Sequence, residues 1–228
     1  VSMSFVGAYD TWLMESVRSN IENEVRNQIR DGLSSIYLEN VADFLKRAKS
    51  YGIYVILTLS WIPKLGNYYT PPPPELQDVN WHYLSPDALE AKKRYVKDFI
   101  DGLKEHNAPL EAVMAYDITG EVYFLENKPP LSYNSGIVQT NTGTYNMAYL
   151  SQKQQMMDDN LIFWIRQVRD SILSVDPDAL VTVQFFPPSI VEGNDVRIIR
   201  TAPIIQNSDA DFISLSMYPD WNKSVEEL

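Results

Sequence analysis

Apolar residues along this chain fall into two alternating patterns, one at helical spacing and one nearly continuous. Val1, Met3 and Phe5 alternate with Ser2 and Ser4, the pattern of a strand. Val17, Ile21, Val25 and Ile29 then recur through a polar stretch, as on a solvated helix. Leu38, Val41, Phe44, Leu45 and Ala48 share one helical face, and Gly52 stops that helix ahead of the apolar run Ile53 to Leu59, a core strand. The next helix has a clear start: Ser85 as N-cap, Pro86 where a missing N–H costs nothing, and Asp87 against the positive end of the helix dipole. Leu89, Val96, Phe99, Ile100 and Leu103 form its inner face. Further along, Ala112 to Thr119 reads as a strand and Gln152 to Val175 as a helix with Leu161, Ile165, Val168 and Ile172 inside, ended by Asp176-Pro177. A strand from Ala179 to Phe186, a short helix over 196–200 and a strand from Asp211 to Met217 follow.

Helix then buried strand, repeated, with strands that show no polar face, predicts a parallel sheet covered by helices. Neither G-x-G-x-x-G nor G-x-x-x-x-G-K-[ST] occurs, which removes the usual phosphate cradle of an open doubly wound sheet. Polar and aromatic residues gather instead just after the strands, at Ser60-Trp61, Glu121 to Phe124, Phe186 to Pro188 and Tyr218 to Trp221. Functional groups on successive strand-to-helix loops are the mark of a (β/α)8 TIM barrel, and α/β of that kind is the expected fold. No repeat or linker divides the sequence, and Pro71 to Pro74 and Pro187-Pro188 read as stiff loops, so 1–228 is one barrel domain.

Composition narrows the chemistry. Thirty acidic against nineteen basic residues give a net charge of −11, the wrong sign for holding a phosphate backbone, so no nucleic-acid partner is expected. No apolar run is long enough to suggest a membrane span. Zero cysteines exclude a disulfide framework, a Cys-ligated zinc and a thiol nucleophile. Only His82 and His106 remain for metal binding, so neither a metal nor another cofactor is expected. His82, beside Trp81, reads as an exposed loop residue, and His106 complements the dipole at the end of its helix. No basic stretch followed by an apolar one is visible at Val1, which leaves the compartment open, and the sequon Asn222-Lys223-Ser224 does not fix it.

Carboxylates, hydroxyls and tyrosines are left to act. If the strand through Tyr116 continues, Asp117, Thr119 and Glu121 share a face by the period of two, and Glu121 lies at the sheet's mouth among Tyr123, Phe124 and Trp61. Partial burial there raises a carboxyl's pKa and keeps a proton available for donation. The competing readings are that Glu121 caps the next segment or pairs with a lysine. A divalent cation on Asp117 and Glu121 lacks a second carboxylate or histidine cluster at another strand end.

Tyr116-Asp117-Ile118-Thr119-Gly120-Glu121 resembles the fourth-strand motif of clan A glycoside hydrolases, the cellulase- and mannanase-like barrels, in which the closing glutamate is the acid/base. Asp211 to Pro219 resembles their sixth strand, and Tyr37 to Pro63 looks like their third βα unit. The resemblance implies a retaining β-glycosidase acting on a β-linked poly- or oligosaccharide, with Glu121 as acid/base and Tyr218 beside a nucleophilic glutamate. It implies sugar platforms at Trp61, Tyr68, Tyr69, Tyr123, Phe186 and Trp221, with Asp117, Gly120 and Ser216 also lining the cleft. Gly120 stands where the family carries Asn, and Ser216 where histidine is common, so the alternative is a carbohydrate-binding pseudoenzyme of the same fold. Only strands two to six of eight are recognisable, and nothing after Tyr218 supplies the nucleophile. The chain is therefore expected to be truncated at both ends, since five barrel strands leave two bare edges.

Overall fold

A computed structural model describes residues 33–60, 62–63, 68, 71–185 and 195–216, together with the backbone of 2–4 and 29–30. In chain order its elements are β1 (Ser2–Ser4), β2 (Ile29–Arg30), β3 (Leu33–Ser34), α1 (Ser35–Ser50), β4 (Val55–Thr58), α2 (Asp78–Leu84) and α3 (Pro86–Glu105). There follow β5 (Val113–Asp117), β6 (Phe124–Leu125), β7 (Ile137–Gln139), β8 (Thr144–Asn146), α4 (Leu150–Leu173), β9 (Val181–Phe185), β10 (Arg197–Ile198), α5 (Ala202–Asn207) and β11 (Phe212–Leu215).

The helices begin and end where local chemistry requires. Ser34 Oγ accepts the Tyr37 N–H at 3.3 Å to start α1, and Gly52, at φ +67°, turns the chain after it. Ser85 Oγ accepts the Ala88 N–H to start α3, with Pro86 in the first turn as expected. Their inner stripes, Leu38, Val41, Leu45 and Ala48 on α1 and Leu89, Val96, Phe99, Ile100 and Leu103 on α3, are buried.

Five described strands form one parallel sheet in the order β1-β4-β5-β9-β11, which is their order in the chain. Each strand is added on the same side of its predecessor, so the intervening helices form one layer in which α1 packs on α3, α3 on α4 and α4 on α5. A doubly wound sheet reverses direction and carries helices on both faces; an unreversed order is the winding of a (β/α) barrel, here incomplete. Val55, Leu57, Leu59, Tyr116, Ile118, Val181, Val183 and Phe185 are buried in a common core with the helices. Their neighbours Ile56, Ser60 and Gln184 keep solvent exposure on the opposite, concave face. The near-continuous apolar run Ile53 to Leu59 thus conceals a two-sided strand.

Several expectations need correction. Residues 78–84 form helix α2 rather than a loop, and His82 in its last turn is half-buried with its ring edge-on to Trp81 at 4.9 Å. Residues 196–200 are not a helix: Arg197 and Ile198 pair antiparallel with Leu125 and Phe124, and the helix lies later, at α5. The helix expected through Val17 to Ile29 falls outside the described residues except at its end, where Ile29 belongs to β2. His106 follows the last turn of α3, as expected, with Nε2 3.4 Å from Ser35 Oγ.

Helices α1 and α3 meet at Gly102, where an added Cβ would lie 2.6 Å from Leu38 Cδ1. Gly102→Ala is expected to destabilise the protein by about 1–3 kcal/mol through overpacking, despite alanine's better helix propensity. Chemical denaturation checks this, and Leu38→Ala in the same chain should recover part of the methyl's cost.

Candidate active site

At the carboxyl end of β5 the ladder is interrupted. Ile118 N–H donates to Thr182 O at 3.1 Å, and the next bond to β9 runs from Val122 N–H to Gln184 O at 2.9 Å. A regular ladder advances two residues on both strands; here one strand advances four while the other advances two. Residues 119–121 therefore loop out as a bulge. Their polar groups find local partners: Thr119 N–H donates to Asp117 Oδ1 at 3.3 Å and Gly120 N–H to Ser60 Oγ at 3.1 Å. Glu121 closes the bulge at φ +56°, a left-handed conformation that costs a non-glycine residue energy. The alternation expected to carry Asp117, Thr119 and Glu121 onto one face thus ends at Asp117, and backbone turning rather than strand parity aims Glu121.

Beneath the bulge lies a buried polar cluster. Asp117 is 3% exposed and accepts from Thr58 Oγ1 at 3.1 Å, so it cannot line a sugar cleft as expected; it braces the ends of β4 and β5. Burial pushes its carboxyl up to about 7, against the opposing pull of the Thr119 N–H, the Thr58 hydroxyl and Lys92. Lys92, 1% exposed on α3, donates to Leu59 O and to Ser60 O, the latter at 3.2 Å, with its ammonium 5.8 Å from the Trp164 ring centroid. Burial pushes this amine down to about 7, with Asp117 opposing the fall. Thr119 is buried, its hydroxyl 3.4 Å from that of Tyr83, whose own ionisation is suppressed by burial.

Around the rim, Glu121, Gly120, Ser60, Gln184, Tyr123 and Ser216 are all half-exposed. Tyr123 stacks beneath the Arg197 guanidinium, 5.9 Å from its ring centroid, and Arg197 Nε donates to Asp195 Oδ2 at 2.7 Å. Arg197 is held charged chiefly by that bond to Asp195, with Glu121 contributing through space. Ser216 N–H extends the ladder to Phe185 O at 2.7 Å. The structure thus brings Glu121, Gly120 and Tyr123 together and adds Ser60, Gln184 and Arg197, which sequence reasoning did not assign to the site.

Tyr68 does not join them. It is fully buried, edge-on to Tyr95 at 6.0 Å, with its hydroxyl donating to Asp98 at 2.6 Å, so its ring offers no face to a sugar. Trp61, Tyr69, Phe186, Tyr218 and Trp221 lie outside the described residues. Among the described residues no group of three metal-binding side chains converges, and no helix is long and apolar enough to cross a membrane.

No protein-family model and no curated protein matches this chain. Among solved structures, the exo-β-1,4-mannosidase Op5Man5 from Opitutaceae bacterium strain TAV5 aligns at TM-score 0.47 and 14% identity, over 82% of this chain and 29% of that one. A β-1,4-D-mannanase from Cryptopygus antarcticus aligns at TM-score 0.43 and 17% identity, over 82% of this chain and 49% of its own. A psychrophilic glycoside hydrolase family 10 endo-β-1,4-xylanase aligns at TM-score 0.35 and 18% identity, over 68% of this chain and 39% of its own. The chain spans less than half the length of each of these three proteins.

Proposed function

We propose that this chain supplies the acid/base side of a retaining glycoside hydrolase acting on a β-linked poly- or oligosaccharide. The observation that carries the reading is Glu121: a half-exposed carboxyl in a strained backbone conformation, aimed by a bulge at the carboxyl end of a central strand of a barrel-wound sheet. Strain of this kind persists only where surrounding structure enforces it, and the carboxyl end of the strands is where such folds do chemistry.

In the proposed reaction the Glu121 carboxyl donates its proton to the departing glycosidic oxygen while a second carboxylate, roughly 5 Å away, attacks the anomeric carbon. The carbon–oxygen bond breaks and a glycosyl ester forms. Glu121, now a carboxylate, takes a proton from water, which attacks the same carbon and expels the second carboxylate. A glutamate closing a later strand would be that nucleophile, with Tyr218 holding it. Trp61, Tyr69, Tyr123, Phe186 and Trp221 would stack on pyranose rings, and Gly120 and Ser216 would line the cleft.

In the full-length protein, Glu121→Gln is expected to lower kcat on unactivated β-linked oligosaccharides by about 10²–10⁴ with little change in KM. An aryl glycoside whose leaving group needs no proton should still release its phenol in a burst. Undiminished kcat in the variant would refute the assignment. Saccharide binding without turnover, equal in wild type and variant, would favour the carbohydrate-binding pseudoenzyme.

A further inference from the structure

We propose that Ser60 and Gln184 form a polar notch over Gly120 that binds one hydroxyl of the sugar unit at the cleavage point; this rests on the glycosidase reading of Glu121. Three strand ends build it: Ser60 follows β4, Gly120 follows β5, and Gln184 lies in β9. A Cβ on Gly120 would lie 2.9 Å from Ser60 Oγ, 3.4 Å from Gln184 Oε1 and 3.6 Å from Thr58 Cγ2. The absent side chain at 120 thus admits two polar groups from the flanking strands to the residue adjoining Glu121.

One level below, the concave face is already satisfied internally, since Thr58 donates to Asp117 and Thr182 donates to Phe212 O at 2.9 Å. Among the described residues, the notch is the first level where polar capacity remains. Ser60 Oγ uses a lone pair on the Gly120 N–H, which leaves its own O–H as a donor. Among the described residues the Gln184 side-chain amide makes no hydrogen bond, so there its NH2 and its carbonyl are both unmatched. Both residues are half-exposed, so a ligand can reach them. A hydroxyl, which donates one hydrogen bond and accepts others, matches a donor and a two-way amide on opposite sides. Unpaired polar groups in such a notch would also discriminate strongly against a sugar that lacks the hydroxyl.

The test pairs Ser60→Ala and Gln184→Leu in the full-length protein with a series of monodeoxy β-linked disaccharides. For wild type, one member of the series should lose about 100-fold in kcat/KM relative to its parent. In Gln184→Leu that parent-to-deoxy ratio should fall below roughly 10-fold, with Ser60→Ala intermediate. A ratio that both folded variants leave unchanged for every member would overturn the notch while leaving the Glu121 assignment standing. Where wild type cleaves nothing, calorimetric binding of the same series decides. A deoxy penalty in Kd that Gln184→Leu removes keeps the notch and sinks the catalytic reading, whereas a penalty insensitive to both variants sinks the notch as well.

Discussion

Lys92→Met lowers stability by about 2–4 kcal/mol at pH 10 and by much less at pH 6. Lys92 donates to two main-chain carbonyls at the end of β4, the buried Leu59 O and the partly buried Ser60 O, and a neutral amine has the two N–H groups that both bonds need. Methionine leaves Leu59 O and Ser60 O unpaired, at about 1–3 kcal/mol each before relaxation. The pH dependence follows from the amine's pKa, lowered from 10.5 to about 7 by burial. Between those values the unfolded chain holds a proton that the folded one has released, so wild-type stability rises with pH across that window and methionine abolishes the rise. Asp117, raised from 3.8 to about 7, has the opposite sign: between those values the folded state holds the extra proton, and stability falls as pH rises. Asp117→Asn should remove that decline. Denaturant titrations of the three proteins at pH 5, 7 and 10 separate the two arms, and a Lys92→Met penalty independent of pH would contradict the account.

Asn80→Ala costs about 2 kcal/mol and lowers Tm by roughly 4–8 °C for a domain of this size. Asn80 is fully buried on α2. Its Nδ2 donates to Leu125 O at 2.9 Å and to Lys128 O and Pro129 O at 3.2 Å, while its Oδ1 accepts the Leu125 N–H at 2.8 Å. One side chain therefore bonds four backbone groups of the segment that follows Tyr123; alanine leaves the Leu125 N–H without its partner, while Leu125 O, Lys128 O and Pro129 O keep the N–H groups of Lys128, Ser132 and Gln77. Hydrogen exchange should show lost protection at Leu125 well before β4 or β9 responds. If exchange accelerates uniformly instead, Asn80 contributes to global stability without specifically tying α2 to the segment after Tyr123.

The architecture was legible wherever one physical term dominated. Long helices announced themselves by buried stripes, and Ser85-Pro86 by cap chemistry, because burial and capping are local in sequence. The bulge was not legible: a two-residue slip depends on the Ser60 hydroxyl and Gln184 carbonyl, which only folding brings alongside. The β6–β10 pairing escaped for the same reason, since two-residue strands leave no periodic trace. Lys92 could have been found. It stands at helical spacing between Leu89 and Val96 on the inner stripe of α3, where a charged residue must be buried with partners. Tyr68 shows the converse error, because an aromatic after a strand can serve the core as readily as a ligand. For Glu121, sequence supplied the residue and its neighbourhood, and the structure supplied the backbone turn that aims it.

That slip involves an even number of surplus residues, and its evenness matters for how the protein can vary. Val122 and Phe124 emerge from it on the same side as Tyr116 and Ile118, all of them buried. Gaining or losing a single amino acid between 118 and 122 would invert everything up to β6, driving Val122 and Phe124 into water and drawing Tyr123 under the helices. Length changes at this spot should therefore be tolerated, if at all, only in pairs.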